Sequence, residues 1–255
     1  MIYCFGDSHV SFFSGRDAIQ PVVPGSSDDL LPFFRTFHVG PALAYNLIKE
    51  GTQTRGREKV LETLAEKVPP GSRVLLCFGE IDCRSHLLRH VWKENASMES
   101  VALTCAEHYT RFASELQEKG YEPIVYNAVP SRHENTRRDK WDKADYPSIG
   151  THLERNKITA LFNQSAEKIC QDKQIHFLSN YPALITSSGK TRQQFYMDRI
   201  HLSQRAMPLT LERLAGIYPS ENFSLPALWK APKLRRVFSF TWPFFWYETS
   251  RDERC

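Results

Sequence analysis

The chain has 255 residues, 41% of them hydrophobic, and a formal net charge of +4. That length and apolar content suffice for one α/β domain with an extension and leave too little chain for several full domains. The modest positive charge, without a basic helix or zinc-finger spacing, argues against a dedicated nucleic-acid binder, and no apolar run is long enough to span a bilayer.

Met1 leads directly into an apolar run at residues 2–5 that reads as a buried strand, which leaves no space for a signal peptide. Six cysteines, at 4, 77, 83, 105, 170 and 255, have neither the paired spacing of a zinc site nor the density of a disulfide scaffold. Both features predict a cytoplasmic protein, with Cys4 and Cys77 as small core residues in apolar strands. Further short apolar runs at 36–39, 74–78, 124–129 and 175–178 alternate with helical stretches at 41–49, 57–67, 98–119, 153–172 and 204–218. In the stretch 98–119, Val101, Ala102, Cys105, Tyr109, Phe112, Ala113 and Leu116 recur at helical spacing, and Gly120 follows as a stop. Strands alternating with helices predict a parallel sheet covered on both faces.

After Pro219 the character changes: Phe223, Trp229, Phe238, Phe240, Trp242, Phe244, Phe245, Trp246 and Tyr247 mix with Lys230, Lys233, Arg235 and Arg236. Prolines at 226, 232 and 243 oppose a long amphipathic helix. The favoured expectation is that this tail wraps back over the domain; docking on a partner or a membrane surface is the alternative.

Two short polar motifs carry the chemistry. The first strand runs into Gly6-Asp7-Ser8-His9, where the glycine permits a tight turn that leaves Ser8 exposed at the strand's carboxyl end, the usual place for sites in open α/β sheets. Near the other end stands Asp198-Arg199-Ile200-His201. A serine hydroxyl is a poor nucleophile at neutral pH and needs an imidazole to take its proton and a carboxylate to orient that imidazole. Ser8, His201 and Asp198 supply those three groups. Read singly, the first motif is also a plain polar turn, and His201 is one histidine among nine.

In combination the motifs resemble the SGNH hydrolase superfamily, the GDSL-like esterases, over roughly residues 1–216. Gly6-Asp7-Ser8-His9 matches the first block, with His9 in place of the usual leucine. Gly40, in Phe37-His38-Val39-Gly40-Pro41, stands where the second block has its glycine. Asp198-x-x-His201 matches the last block. The third block, normally Gly-x-Asn-Asp, reads Gly79-Glu80-Ile81-Asp82, so isoleucine replaces the asparagine. The resemblance implies a three-layer α/β sandwich around a mostly parallel five-stranded sheet of flavodoxin-like strand order, occupying residues 1–218, with 219–255 as an extension. It implies Ser8 as nucleophile, the N–H groups of Ser8 and Gly40 as oxyanion donors, and neither a cofactor nor a metal. Ile81 cannot donate the amide hydrogen bond that the family's asparagine gives the oxyanion, and Asn127 and Arg84 are the candidate substitutes.

Glu80, Asp82 and Arg84 crowd one short loop, which reads first as an internal ion pair and second as an anion-binding arginine. The stretch 130–150 holds Arg132, His133, Arg137, Arg138, Lys140, Trp141 and Tyr146, suited either to a sugar face or anionic glycan or to a solvated insertion. The favoured reading is a serine esterase or deacylase acting on a small-molecule or glycan ester, with O-acetyl groups on carbohydrate as the preferred substrate. Lipid esters stay open if the tail serves as a hydrophobic lid. A sugar O-acyltransferase would use the same three residues with a sugar hydroxyl in place of water. A non-catalytic glycan-binding or scaffolding protein would suit Ile81 and the aromatic tail. In a metallophosphoesterase, Asp7 and His9 would be metal ligands, although the Gly-Asn-His-Asp or Gly-Asn-His-Glu segment of such sites is missing; His86 and His90 share a helix face if that stretch is helical.

Overall fold

The computed structural model describes residues 1–23, 28–132, 146–221 and 223. Five strands, β1 (Ile2–Gly6), β2 (Phe34–His38), β3 (Arg73–Cys77), β4 (Glu122–Tyr126) and β5 (His176–Leu178), form one sheet in the order β2-β1-β3-β4-β5. Every pairing is parallel. Strands buried on both faces need apolar residues at successive positions rather than in alternation, which is why Val74, Leu75, Leu76 and Cys77 are all buried.

The two faces carry separate cores. Phe5, Val74, Leu76 and Val125 point to one side, where α1 (Gly56–Lys67), α2 (Leu87–Glu94), α3 (Met98–Glu118) and α4 (His152–Asp172) contribute Val60, Leu88, Phe112 and Phe162. Ile2, Cys4, Leu75, Cys77 and Tyr126 point to the other, against the 3-10 helix Ser8–Ser14, α5 (Tyr181–Leu184) and α6 (Met207–Ile217). α3 is N-capped by Ser97, whose hydroxyl accepts the Ser100 N–H at 3.1 Å. α4 opens with a capping box between Thr151 and Glu154.

Three local expectations need correction. Residues 41–49 are not an α-helix; they hold only the 3-10 turn Ala44–Asn46. Backbone N–H groups that a helix would bond internally are taken instead by Asp82, whose carboxylate accepts from Ala44 at 2.8 Å and Tyr45 at 3.1 Å. Glu80, Asp82 and Arg84, which the sequence places in one short loop, instead lie at the start of a helical segment, with a π-helical turn at Asp82–His86 running into α2. The stretch 204–218 splits into a 3-10 turn, Gln204–Ala206, and α6, with Pro208 in the first turn of α6, where its missing N–H costs nothing.

Most of the extension 219–255 and most of 130–150 fall outside the described residues. At its start, Phe223 is buried, with its ring 5.3 Å from that of Phe33. Five cysteines, 4, 77, 83, 105 and 170, are buried free thiols. No helix among the described residues is long and apolar enough to cross a membrane.

Burial pushes the Asp82 carboxyl up to about 6, against the hydrogen bonds from Tyr45, Ala44 and Cys105 that favour its ionised form. Replacing Asp82 by alanine strands two backbone donors, and a loss of about 1–3 kcal/mol is expected by denaturant unfolding. Between its ordinary value of 3.8 and about 6 the folded chain binds more protons at Asp82 than the unfolded chain, so this group lowers stability as pH rises through that window. Asp82→Asn removes the titration, and its stability relative to the parent is expected to improve from pH 4 to 6.

Candidate active site

The site forms at the carboxyl end of β1, where the sheet order switches direction: the chain passes from β1 to β2 on one side and then to β3 on the other. Such a switch point opens a crevice. Gly6 ends β1, and a Cβ there would lie 2.3 Å from the Cys77 carbonyl oxygen, so the close approach of β1 and β3 requires glycine. Asp7 then caps the 3-10 helix, its Oδ1 accepting the His9 N–H at 2.9 Å, and Ser8 becomes the helix's first residue.

On the facing turn, Asp198 holds both the backbone and the imidazole. Its Oδ1 accepts the N–H groups of Ile200 and His201 at 2.8 Å each, and its Oδ2 lies 2.7 Å from His201 Nδ1. The loop is closed by the antiparallel bridge Tyr196↔Leu202 and by the Met197 N–H bonded to the His201 carbonyl at 3.0 Å. A carboxylate can only accept, so Nδ1 carries the proton and Nε2 is left as acceptor. Nε2 stands 2.7 Å from Ser8 Oγ. The structure thus brings Ser8, His201 and Asp198 into one hydrogen-bonded chain. Burial raises the Asp198 carboxyl, but the bonds from His201 and Ile200 outweigh it and bring it down to about 2, so it is ionised at neutral pH.

Gly40 follows β2 with φ +86°, a conformation that disfavours any side chain. Neither its N–H nor that of Ser8 has a hydrogen-bond partner among the described residues. Just before it, His38 pairs in register with Gly6, and its Nδ1 donates to the Gln20 carbonyl at 2.8 Å. Burial, together with the nearby His201, His9 and Lys59, holds the His38 imidazole below its ordinary value, with the Gln20 bond opposing.

The two candidate substitutes for Ile81 are both engaged. Asn127 is buried; its amide donates to the Ala128 carbonyl at 2.8 Å and its Oδ1 accepts the Asn180 N–H at 2.7 Å. Arg84 donates from Nε to Glu80 Oε1 at 2.7 Å and from its guanidinium to the Tyr146 carbonyl. With Ser85 bonded to the Pro147 carbonyl, the π turn grips residues 146–147. The Glu80–Arg84 pair is therefore internal, whereas Asp82 turns away toward Ala44 and Tyr45.

His9, which the sequence offers as a replacement for leucine or as a metal ligand, is instead turned to a carboxylate of the third block. Its Nε2 lies 3.1 Å from Glu80 Oε2, an ion-pair distance at an angle too poor for a hydrogen bond. Its ring sits 4.7 Å from the His201 ring, tilted by 38°. Burial disfavours its charge, but Asp7 and Glu80 together outweigh burial and raise the imidazole above its ordinary value. Glu80 is likewise opposed by burial, yet Arg84 and His9 hold it well below the usual carboxylate range. Burial pushes Asp7 up to about 6, with His9 opposing. The available signal was the juxtaposition of His9 after the serine with Glu80 in the third block, two positions that only the β1–β3 pairing brings together.

As metal ligands, Asp7 and His9 would have to face a common point, but the Asp7 Oδ1 is turned to the His9 N–H and the His9 Nε2 to Glu80. His86 lies against the Tyr146 ring, while His90 pairs with Glu94 at 3.0 Å. Of the basic stretch after β4, Arg132 is described; it reaches Gln193 and donates to the Asp198 carbonyl at 2.8 Å.

No family model matches the sequence, and no curated protein is similar to it. Among solved structures, a protein assigned as an acylhydrolase from Bacteroides fragilis superposes with a TM-score of 0.50 at 16% identity, covering 88% of each chain. An aryl esterase from Mycobacterium smegmatis gives 0.48 at 15% identity, over 86% of this chain and 98% of that one. A carbohydrate acetylesterase from Sinorhizobium meliloti gives 0.47 at 15% identity, over 86% and 96%. Strand order and the superposition agree, and this chain shares the α/β fold of the Bacteroides protein.

Proposed function

We propose that the chain is a serine esterase that removes small acyl groups, with O-acetyl groups on carbohydrate as its preferred substrate class. The observation that carries this reading is the unbroken relay from Ser8 Oγ through His201 to Asp198, two contacts of 2.7 Å each. His201 Nε2 takes the hydroxyl proton as Ser8 Oγ bonds to the ester carbonyl carbon. The N–H groups of Ser8 and Gly40 receive the oxyanion, and His201 returns the proton to the departing alcohol. Water, deprotonated by His201 in turn, releases the acyl group and restores Ser8. Asp198 stays ionised and fixes the tautomer that leaves Nε2 free to accept. Arg132, by its bond to the Asp198 carbonyl, places the start of the basic and aromatic stretch at the rim of the site, which supports a polyhydroxylated or anionic alcohol moiety.

Hydrolysis of p-nitrophenyl acetate, and then of acetylated sugars, tests the reading. Ser8→Ala and His201→Ala are each expected to lower kcat by ~10³-fold or more with an unchanged melting temperature, and EDTA is expected to leave the parent rate untouched. Equal rates for the parent and Ser8→Ala, or loss of the parent rate on chelation, would contradict it. Asp198→Asn is expected to lower kcat by ~10³-fold or more while KM moves little, because it upsets the imidazole's tautomer rather than substrate contact. An unimpaired Asn variant would remove Asp198 from the mechanism.

A further inference from the structure

The third block leaves a physical deficit. Ile81 is buried and apolar where an amide donor would face the oxyanion, and a site of this kind loses much of its rate with one donor gone. Asn127 has its amide bonded to Ala128, and Arg84 is tied to Glu80 and Tyr146. Something else must meet the developing charge; Lys59, the cation beside Gly40, donates through Nζ to the Val39 carbonyl at 3.1 Å, which leaves a basic side chain fixed directly beside Ser8.

That side chain is His9. It follows the nucleophile directly, it is only 7% exposed, and its ring lies 4.7 Å from the ring of His201, whose Nε2 touches Ser8 Oγ. One edge of the imidazole faces the Glu80 carboxylate at 3.1 Å, and Glu80 is anchored in turn by Arg84 at 2.7 Å. Asp7 holds the His9 backbone N–H. The ring's other nitrogen, Nδ1, has no hydrogen-bond partner among the described residues. Burying charge is costly unless it is paired, and Glu80, already bonded to Arg84, faces a second basic group in His9.

We propose that His9, paired with Glu80 as an imidazolium, is a catalytic residue that supplies the oxyanion with the positive donor Ile81 cannot give. The inference rests on the reading of Ser8 as nucleophile. Charged His9 is needed as electrophile, so the rate falls as His9 loses its proton. Its imidazole is held above its ordinary value, which places this fall on the alkaline side of a free histidine. The groups facing His9 set that limb: Asp7 and Glu80 hold its charge in place, while Arg84 and His38 oppose it, and the His201 ring lies alongside. The Glu80 charge also limits repulsion between His9 and His201 when His201 becomes protonated during attack.

The test is the pH profile of kcat/KM for ester hydrolysis in the parent, Ser8→Ala, His9→Leu, Glu80→Gln and the double variant His9→Leu/Ile81→Asn, each with its melting temperature. The parent is expected to show a fall on the alkaline side, and His9→Leu to lose about 100-fold in kcat together with that alkaline limb. Glu80→Gln, which keeps the ring but removes its counter-charge, is expected to move the alkaline limb to lower pH; it carries the test if His9→Leu does not fold. The double variant is expected to recover tenfold or more over His9→Leu with no alkaline limb, since an amide does not titrate there. A folded His9→Leu that keeps the parent rate and the alkaline limb, or a Glu80→Gln limb that does not move, would overturn the role of His9 and leave Ser8 as nucleophile. A parent no faster than Ser8→Ala would overturn the serine reading and this inference together.

Discussion

The hydrogen bond between Ser8 and His201 joins residues 193 positions apart, and the architecture can be understood as the means of making that contact at 2.7 Å. Ser8 is set by the end of β1, which glycine allows to press against β3. His201 is set by a turn whose backbone N–H groups and side chain are all held by Asp198. Neither anchor suffices alone. The core of Cys4, Cys77, Tyr126, Leu202 and Met207 on the α6 face of the sheet fixes one relative to the other. Because this core is close-packed, a displacement at the sheet would be felt at the serine.

Around this contact the protein buries an unusual amount of charge. Asp7, His9, Glu80 and Asp82 are each at most 7% exposed, and Arg84 is largely enclosed. In a low dielectric such groups persist only when paired or bonded. Asp82 is satisfied by backbone donors and works as a clamp on the 44–46 turn. Glu80 and Arg84 pair with each other and grip residues 146–147, joining the site to the far end of the basic stretch. Asp7 and His9 complete the cluster beside Ser8. Stability and site geometry are therefore coupled, and polar substitutions in the third block act on both.

Much of the fold was legible because buried parallel strands and amphipathic helices leave strong periodic signals, and the long helices 98–119 and 153–172 lie within a residue of α3 and α4. Residues 41–49 misled because their local pattern is compatible with a helix, while the deciding partner, Asp82, lies almost forty residues away. The π turn at Asp82–His86 was hidden for a related reason: polar residues at close spacing read as loop, and their partners at Ala44, Tyr45 and Tyr146 are all distant in sequence. At the site, the flanking motifs foretold that Ser8, Asp198 and His201 would meet. His9 was treated as a tolerable replacement for leucine, since its significance depends on Glu80, which becomes a neighbour only through strand pairing.

The central claim is that Ser8 Oγ is a nucleophile activated by His201, and covalent trapping addresses it without any choice of substrate. Incubation with an alkyl fluorophosphonate, which loses fluoride as the serine oxygen bonds to phosphorus, followed by intact-mass and peptide analysis, reads it directly. One adduct per chain on the peptide containing Ser8, absent from Ser8→Ala and much slowed in His201→Ala, is the predicted result. A parent chain that stays unmodified, or that is labelled equally when Ser8 is alanine, would contradict the account.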